Sequence, residues 1–159
     1  MTETTASSLS AVVLLELHHE RLDDMLGDVK LMADAESWQD AKRRFDAFRR
    51  ELEAHIRLEE EMMFPAFEKD ASMPQGPTTV MRAEHVTIRA FLAELDEALT
   101  ETRSVRQTTA ELEAQIGAHN FKEERVLYPA FERLAPASAR TALATELEAL
   151  LGGRGRTTG

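Results

Sequence analysis

Residues 55–68 read HIRLEEEMMFPAFE and residues 119–132 read HNFKEERVLYPAFE. Seven of the fourteen positions are identical, and Phe64 stands opposite Tyr128 as a further near-match. On an α-helix, residues four apart lie about 40° apart around the axis and about 6 Å apart along it. His55 with Glu59, and His119 with Glu123, therefore each present a nitrogen and an oxygen donor on one helix face. Glu60 and Glu124 point away from that face and are not equivalent candidates. One such pair is commonly a surface ion pair worth a few tenths of a kcal/mol. A surface pair gives no reason for the motif to recur with further histidines at matching offsets.

Those histidines are present. LELHHERLDDML (15–26) aligns without a gap with MRAEHVTIRAFL (81–92), which sets His19 against His85 and Leu22, Met25 and Leu26 against Ile88, Phe91 and Leu92. The chain reads as two copies of one helical hairpin, each with a lone His on its first helix and His-x-x-x-Glu on its second. His18 falls opposite Glu84 and is assigned a supporting or surface place. Folded together, the hairpins would gather His19, His55, His85 and His119 with Glu59 and Glu123 in one interior.

Unpaired carboxylates are costly to bury, so something positive must sit among them. A donor set of nitrogen and oxygen without sulfur suits iron, manganese or zinc, and two carboxylates able to bridge point to a pair of ions. Two iron ions are the first expectation, with zinc or manganese as alternatives. An oxo or hydroxo bridge would bring each ion to five donors, leaving a place for dioxygen, nitric oxide or peroxide. Met25, Met62, Phe91 and Phe121 read as core that keeps this centre dry, and the PAFE endings as helix-end contacts.

The elements that must hold these residues are helical. Apolar residues recur at helical spacing from about Ser10 to Ala33: Val12, Leu15, Leu22, Met25, Leu26, Val29 and Met32. SWQD suggests a capping box, with Ser37 as N-cap and Asp40 three residues on. The second helix carries Phe45, Phe48, Leu52, Ile56 and Met63 to a kink or stop at Pro65. DASMPQGP is the clearest loop. A third helix begins after Pro77, and Ser104 with Gln107 repeats the capping spacing before a fourth, which runs through Leu112, Ile116 and Val126 to Pro129 or beyond. A shorter helix follows Pro136. No stretch alternates with period two. Short loops between four long helices predict an all-α, up-down-up-down antiparallel four-helix bundle with a short additional C-terminal helix. The expected layout is a single domain over 1–151, with hairpins at about 10–70 and 77–134, a last helix at about 136–151, and a disordered tail over 152–159.

The bulk numbers agree. With 159 residues the chain suits one domain. There are 7 glycines and 5 prolines, few enough to favour helix, and no cysteines, which removes disulfides and thiolate metal sites. A formal net charge of −10 repels phosphate backbones and anionic membranes, so neither nucleic acid nor membrane is an expected partner. MTETTASSLS holds no basic residue and AVVLLEL is broken by Glu16, which argues against a signal peptide or a membrane span. A cytoplasmic location is expected.

The full set, His19, His55-x-x-x-Glu59, His85 and His119-x-x-x-Glu123 with its Glu-Glu doublets and FP and YP endings, resembles the hemerythrin-like (HHE cation-binding) family over about residues 12–134. The resemblance implies a four-helix bundle holding a non-haem di-iron centre on those six residues, with Glu59 and Glu123 bridging. Oxygen-carrying hemerythrins have a further His one turn after the third-helix His and an Asp at the place of Glu123. This chain has Arg89 at the first of these places, where it could stabilise an anionic ligand. The four-His, two-Glu pattern is similar to hemerythrin-like proteins linked to oxygen or iron sensing, nitrosative-stress defence and repair of iron centres. The leading expectation is a di-iron protein that binds, senses or reacts with small oxidants. The alternatives are an iron donor of the repair type, a peroxide-decomposing enzyme for which only His18 and Glu84 offer an acid–base relay, and a helical interaction module. Ferritin-like storage uses Glu-x-x-His on two helices, and only Glu16-x-x-His19 has that form here.

Overall fold

The computed structural model describes residues 9–70 and 76–152. Every regular element among them is helical: α1 Ala11–Asp34, α2 Trp38–Leu58, a π turn Glu59–Met63, α3 Phe64–Lys69, α4 Gly76–Thr100, α5 Arg106–Lys122, a second π turn Glu123–Leu127, α6 Tyr128–Leu134 and α7 Ala137–Gly152. Of the expected tail over 152–159, Gly152 instead ends α7 and the rest lies outside the described residues, as does most of the expected loop, residues 71–75.

The helix ends are built from local chemistry. Ser10 caps α1, its Oγ accepting from Val13 N–H at 3.2 Å. At the other end, Glu36 N–H donates to Ala33 O and Ser37 N–H to Met32 O, with Glu36 at φ 59°. Thr102 N–H to Leu99 O and Arg103 N–H to Ala98 O repeat this at the end of α4, with Thr102 at φ 51°. Both are Schellman closures made without glycine. The two capping boxes read from the sequence do not form. Ser37 is the N-cap of α2 but makes no side-chain capping bond, and the Asp40 carboxylate is engaged by Arg43 instead. The N-cap of α5 is Val105 rather than Ser104.

The two prolines mark a second departure. Neither Pro65 nor Pro129 stops the helix; each is preceded by a π turn in which Phe64 N–H donates to Glu59 O and Tyr128 N–H to Glu123 O. A proline inside a helix lacks an N–H and crowds the carbonyl four residues back, and the widened turn relieves that crowding. It also shifts the face that follows by one residue. Leu127 is buried while Val126, expected inside, is 53% exposed.

Each of the four long rods carries an inward stripe that is apolar, then polar, then apolar. In α1 the order is Leu15, His19, Leu22; in α4 it is Met81, His85, Ile88. Ile56 and Met63 flank Glu59, and Ile116 and Leu127 flank His119 and Glu123. The core is thus two apolar clusters. One contains Leu22, Phe45, Phe48, Ile88, Leu92 and Leu112. The other contains Leu15, Phe64, Phe67, Tyr128, Phe131 and Leu147, the last supplied by α7. The charged layer lies between them. Met25 is in the core and Met62 and Phe91 are partly buried against it, but Phe121 is 59% exposed and lies under the guanidinium of Arg125. It does not shield the centre.

Candidate metal centre

All six residues predicted as ligands are buried and converge. They form two groups of four that share both carboxylates: His19, His55, Glu59 and Glu123, and Glu59, His85, His119 and Glu123, with the donor atoms of each group within 4.8 Å of one another. Glu59 Oε2 lies 3.3 Å from His55 Nε2, and Glu59 Oε1 lies 3.2 Å from His85 Nε2. Glu123 mirrors this with the halves exchanged, 3.1 Å from His119 Nε2 and 3.4 Å from His19 Nε2. Each carboxylate therefore reaches one imidazole on its own helix and one from the other hairpin.

With Nε2 directed inward, Nδ1 of each imidazole donates outward. His19 Nδ1 meets Glu124 at 2.7 Å and His85 Nδ1 meets Glu60 at 2.7 Å. His119 Nδ1 meets Glu84 at 2.8 Å. His55 Nδ1 instead meets Nδ1 of His18 at 2.9 Å, and His18 Nε2 donates to Glu51 at 3.0 Å. His18 and Glu84, paired in the sequence alignment, thus do the same task in the two halves: each holds the second-helix imidazole. Glu60 and Glu124 stay off the central cluster, as their spacing says, but their side chains cross to the opposite hairpin and orient its imidazole. Sequence reasoning missed that role. Cations back this layer: Arg21 on Glu51, Lys122 on Glu84 and Arg89 on Glu60. Arg89 is spent there and on Glu53 at 3.0 Å, 37% exposed, and does not reach the interior. Glu16 is outside both groups.

Tyr128 was also missed. Its ring is fully buried, and its hydroxyl donates to Glu59 Oε2 at 2.5 Å, with Glu123 Oε1 at 2.9 Å. The π turn explains this reach, since residue i+5 there takes the place over residue i that i+4 holds in an α-helix. Phe64, its counterpart, stacks on His85 with centroids 5.7 Å apart. The signal was in the repeat: an aromatic residue stands five after each central Glu.

Without a cation, protons balance the charge. Burial works against ionised His19 and His119, but Glu123 and Glu59, helped by Glu124 and Glu84, push each up to about 9. His85 is raised by Glu59 and Glu60 against the same burial penalty. Burial alone would raise Glu59, yet the imidazoles of His55 and His85 hold it well below the usual carboxylate range. Burial and His55 push His18 down to about 4, so it is neutral. Burial and the two carboxylates push the Tyr128 phenol well above its usual range. Glu123 Oε2 is buried without an aligned hydrogen bond, although His119 Nε2 is 3.1 Å away. Such an orphan oxygen, beside a second carboxylate and four inward nitrogens, is what a bound cation satisfies.

A cavity of about 20 Å³ lies against the centre, bounded by Leu22, Leu52, Ile56, Ile88 and Ile116 beside His19, His55, His119 and the two carboxylates. That is room for about one water-sized molecule.

The sequence profile of the hemerythrin HHE cation-binding domain matches residues 10–131, and the chain belongs to that family. No curated protein and no solved structure matches the chain. No helix among the described residues is long and apolar enough to cross a membrane.

Proposed function

We propose that this chain is a non-haem di-iron protein that binds, senses or reacts with dioxygen, nitric oxide or peroxide. The ligands are His19, His55, Glu59, His85, His119 and Glu123, carried on an up-down-up-down four-helix bundle. The observation that carries the reading is the sharing of Glu59 and Glu123 by both groups of four, beside a cavity of about 20 Å³.

Iron fits a set of four nitrogens and two bridging carboxylates, and when bound it would supply reversible redox chemistry and an open position for a small ligand. The protein's own part is positional and electrostatic. Glu124, Glu60, Glu84 and His18 fix the tautomer and angle of the four imidazoles. Leu22, Leu52, Ile56, Ile88 and Ile116 on the cavity wall leave room for about one small molecule beside the centre. In the metal-free protein the Tyr128 hydroxyl holds a proton against the carboxylate pair.

The test has two stages. Elemental analysis of the purified protein should find two irons per chain. The anaerobic, reduced protein should then change its visible spectrum when given one of the three molecules. Two bound irons with a spectrum unmoved by all three would reject oxidant chemistry, and a metal-free protein that takes up none would reject the di-iron reading.

A further inference from the structure

Tyr128 Oη has more neighbours than a phenol can use. It lies 2.5 Å from Glu59 Oε2, 2.9 Å from Glu123 Oε1, 3.1 Å from His19 Nε2 and 3.5 Å from His55 Nε2. Those four atoms belong to the four residues of one group able to hold a cation. A hydroxyl has one proton and two lone pairs, so it cannot satisfy two carboxylates and two imidazoles at once. Donors bound side by side on one octahedral ion at about 2.1 Å stand about 3.0 Å apart. The four distances from Oη scatter about that value. The oxygen therefore stands where a fifth donor of this site would stand. In the other half, Phe64 takes the corresponding place, contributes no donor, and covers His85 with its ring.

We propose that Tyr128 is itself a ligand of the ion held by His19, His55, Glu59 and Glu123, which makes the two sites chemically unequal. The first then has five protein donors, and the second, with His85 and His119, has four. The proposal rests on the di-iron reading. On loading with ferric iron, the phenol O–H bond breaks and its proton passes to solvent. The phenolate oxygen donates an electron pair to the iron, and no oxidation state changes.

Tyr128 is the sole tyrosine of the chain, so any tyrosinate signal belongs to it. The experiment is resonance Raman and visible spectroscopy of the full chain loaded with ferric iron, with iron content measured on the same sample. The expected result is two irons per chain and a visible charge-transfer band whose excitation enhances tyrosinate ring modes. Those modes should shift when the protein is grown on ring-deuterated tyrosine. Tyr128→Phe, which copies the arrangement at Phe64, should keep both irons and lose the band. Two irons without tyrosinate modes in the unsubstituted protein would overturn the ligand assignment and leave the di-iron reading standing. Failure to bind iron at all would overturn both.

Discussion

Glu124 Oε2 sits 2.7 Å from Nδ1 of His19, across 105 residues of chain, and Glu60 stands in the same relation to His85. The carboxylate that follows each central Glu thus leaves its own hairpin to orient the imidazole of the other. A cation bound between the hairpins would thus have two of its four imidazoles, His19 and His85, kept in place by the opposite hairpin.

Carboxylates that orient a ligating imidazole commonly contribute 10- to 100-fold in metal affinity. Glu124→Ala and Glu60→Ala should each weaken iron binding by about that factor while leaving the helical circular dichroism unchanged. Competition against a chelator of known affinity measures it. Glu124 is 38% exposed, and among the described residues no Lys or Arg pairs with it, so its loss should perturb the fold least.

Sharing of the carboxylates predicts a difference in stoichiometry. His85→Ala removes a donor from one group of four and should lower the metal content from two ions per chain to about one. Glu59→Ala removes a donor from both and should lower it below one. Elemental analysis after dialysis separates the two, and equal losses would show that Glu59 serves a single ion.

The metal-free protein should be most stable near pH 6.5, and the sign differs on each side. His19 and His119 are raised from 6.5 to about 9, so their contribution is full below 6.5 and is lost as pH rises through 9. His18 is lowered to about 4, so its contribution is lost as pH falls from 6.5 through 4; the depressed Glu59 adds to the acid loss below 4.5. Urea midpoints measured between pH 4 and pH 10 should trace this maximum. Bound metal must displace the imidazole protons, so affinity should fall as pH is lowered from 9.

Thr102 closes α4 at φ 51°, a conformation that β-branched residues rarely adopt. The left-handed region costs an L-residue roughly 1–2 kcal/mol, and glycine gives back part of the gain through chain entropy. Thr102→Gly should therefore raise stability by about 0.5–1 kcal/mol, read as a melting temperature higher by a few degrees. The centre, far along the bundle, should keep its metal affinity.

The doubled hairpin and the six central residues were readable because an α-helical period of 3.6 governs everything up to His55-x-x-x-Glu59 and His119-x-x-x-Glu123. From that point the same period misleads. The π turns shift the following face by one residue, which turns Leu127 in and Val126 out and brings Tyr128 under the carboxylates. PAFE therefore looked like a helix end when its aromatic neighbour belongs to the centre. Glu60 and Glu124 escaped for another reason. Their backbone positions do face away, and only the length of the side chain carries the carboxylate to a neighbouring helix. Of the two capping boxes, one has its acidic side chain engaged by Arg43 and the other lies one residue off, since α5 starts from Val105.

The charged layer also works as a vernier for the helices. Apolar faces of leucine and phenylalanine tolerate sliding, since one methyl group replaces another at little cost. A rod displaced by a single turn, about 5.4 Å, would set His85 or Glu123 against hydrocarbon and bring Ile88 or Leu127 into a ring of imidazoles. Only one axial alignment of the four rods avoids both errors, so the band of six polar side chains fixes the assembly before any ion arrives.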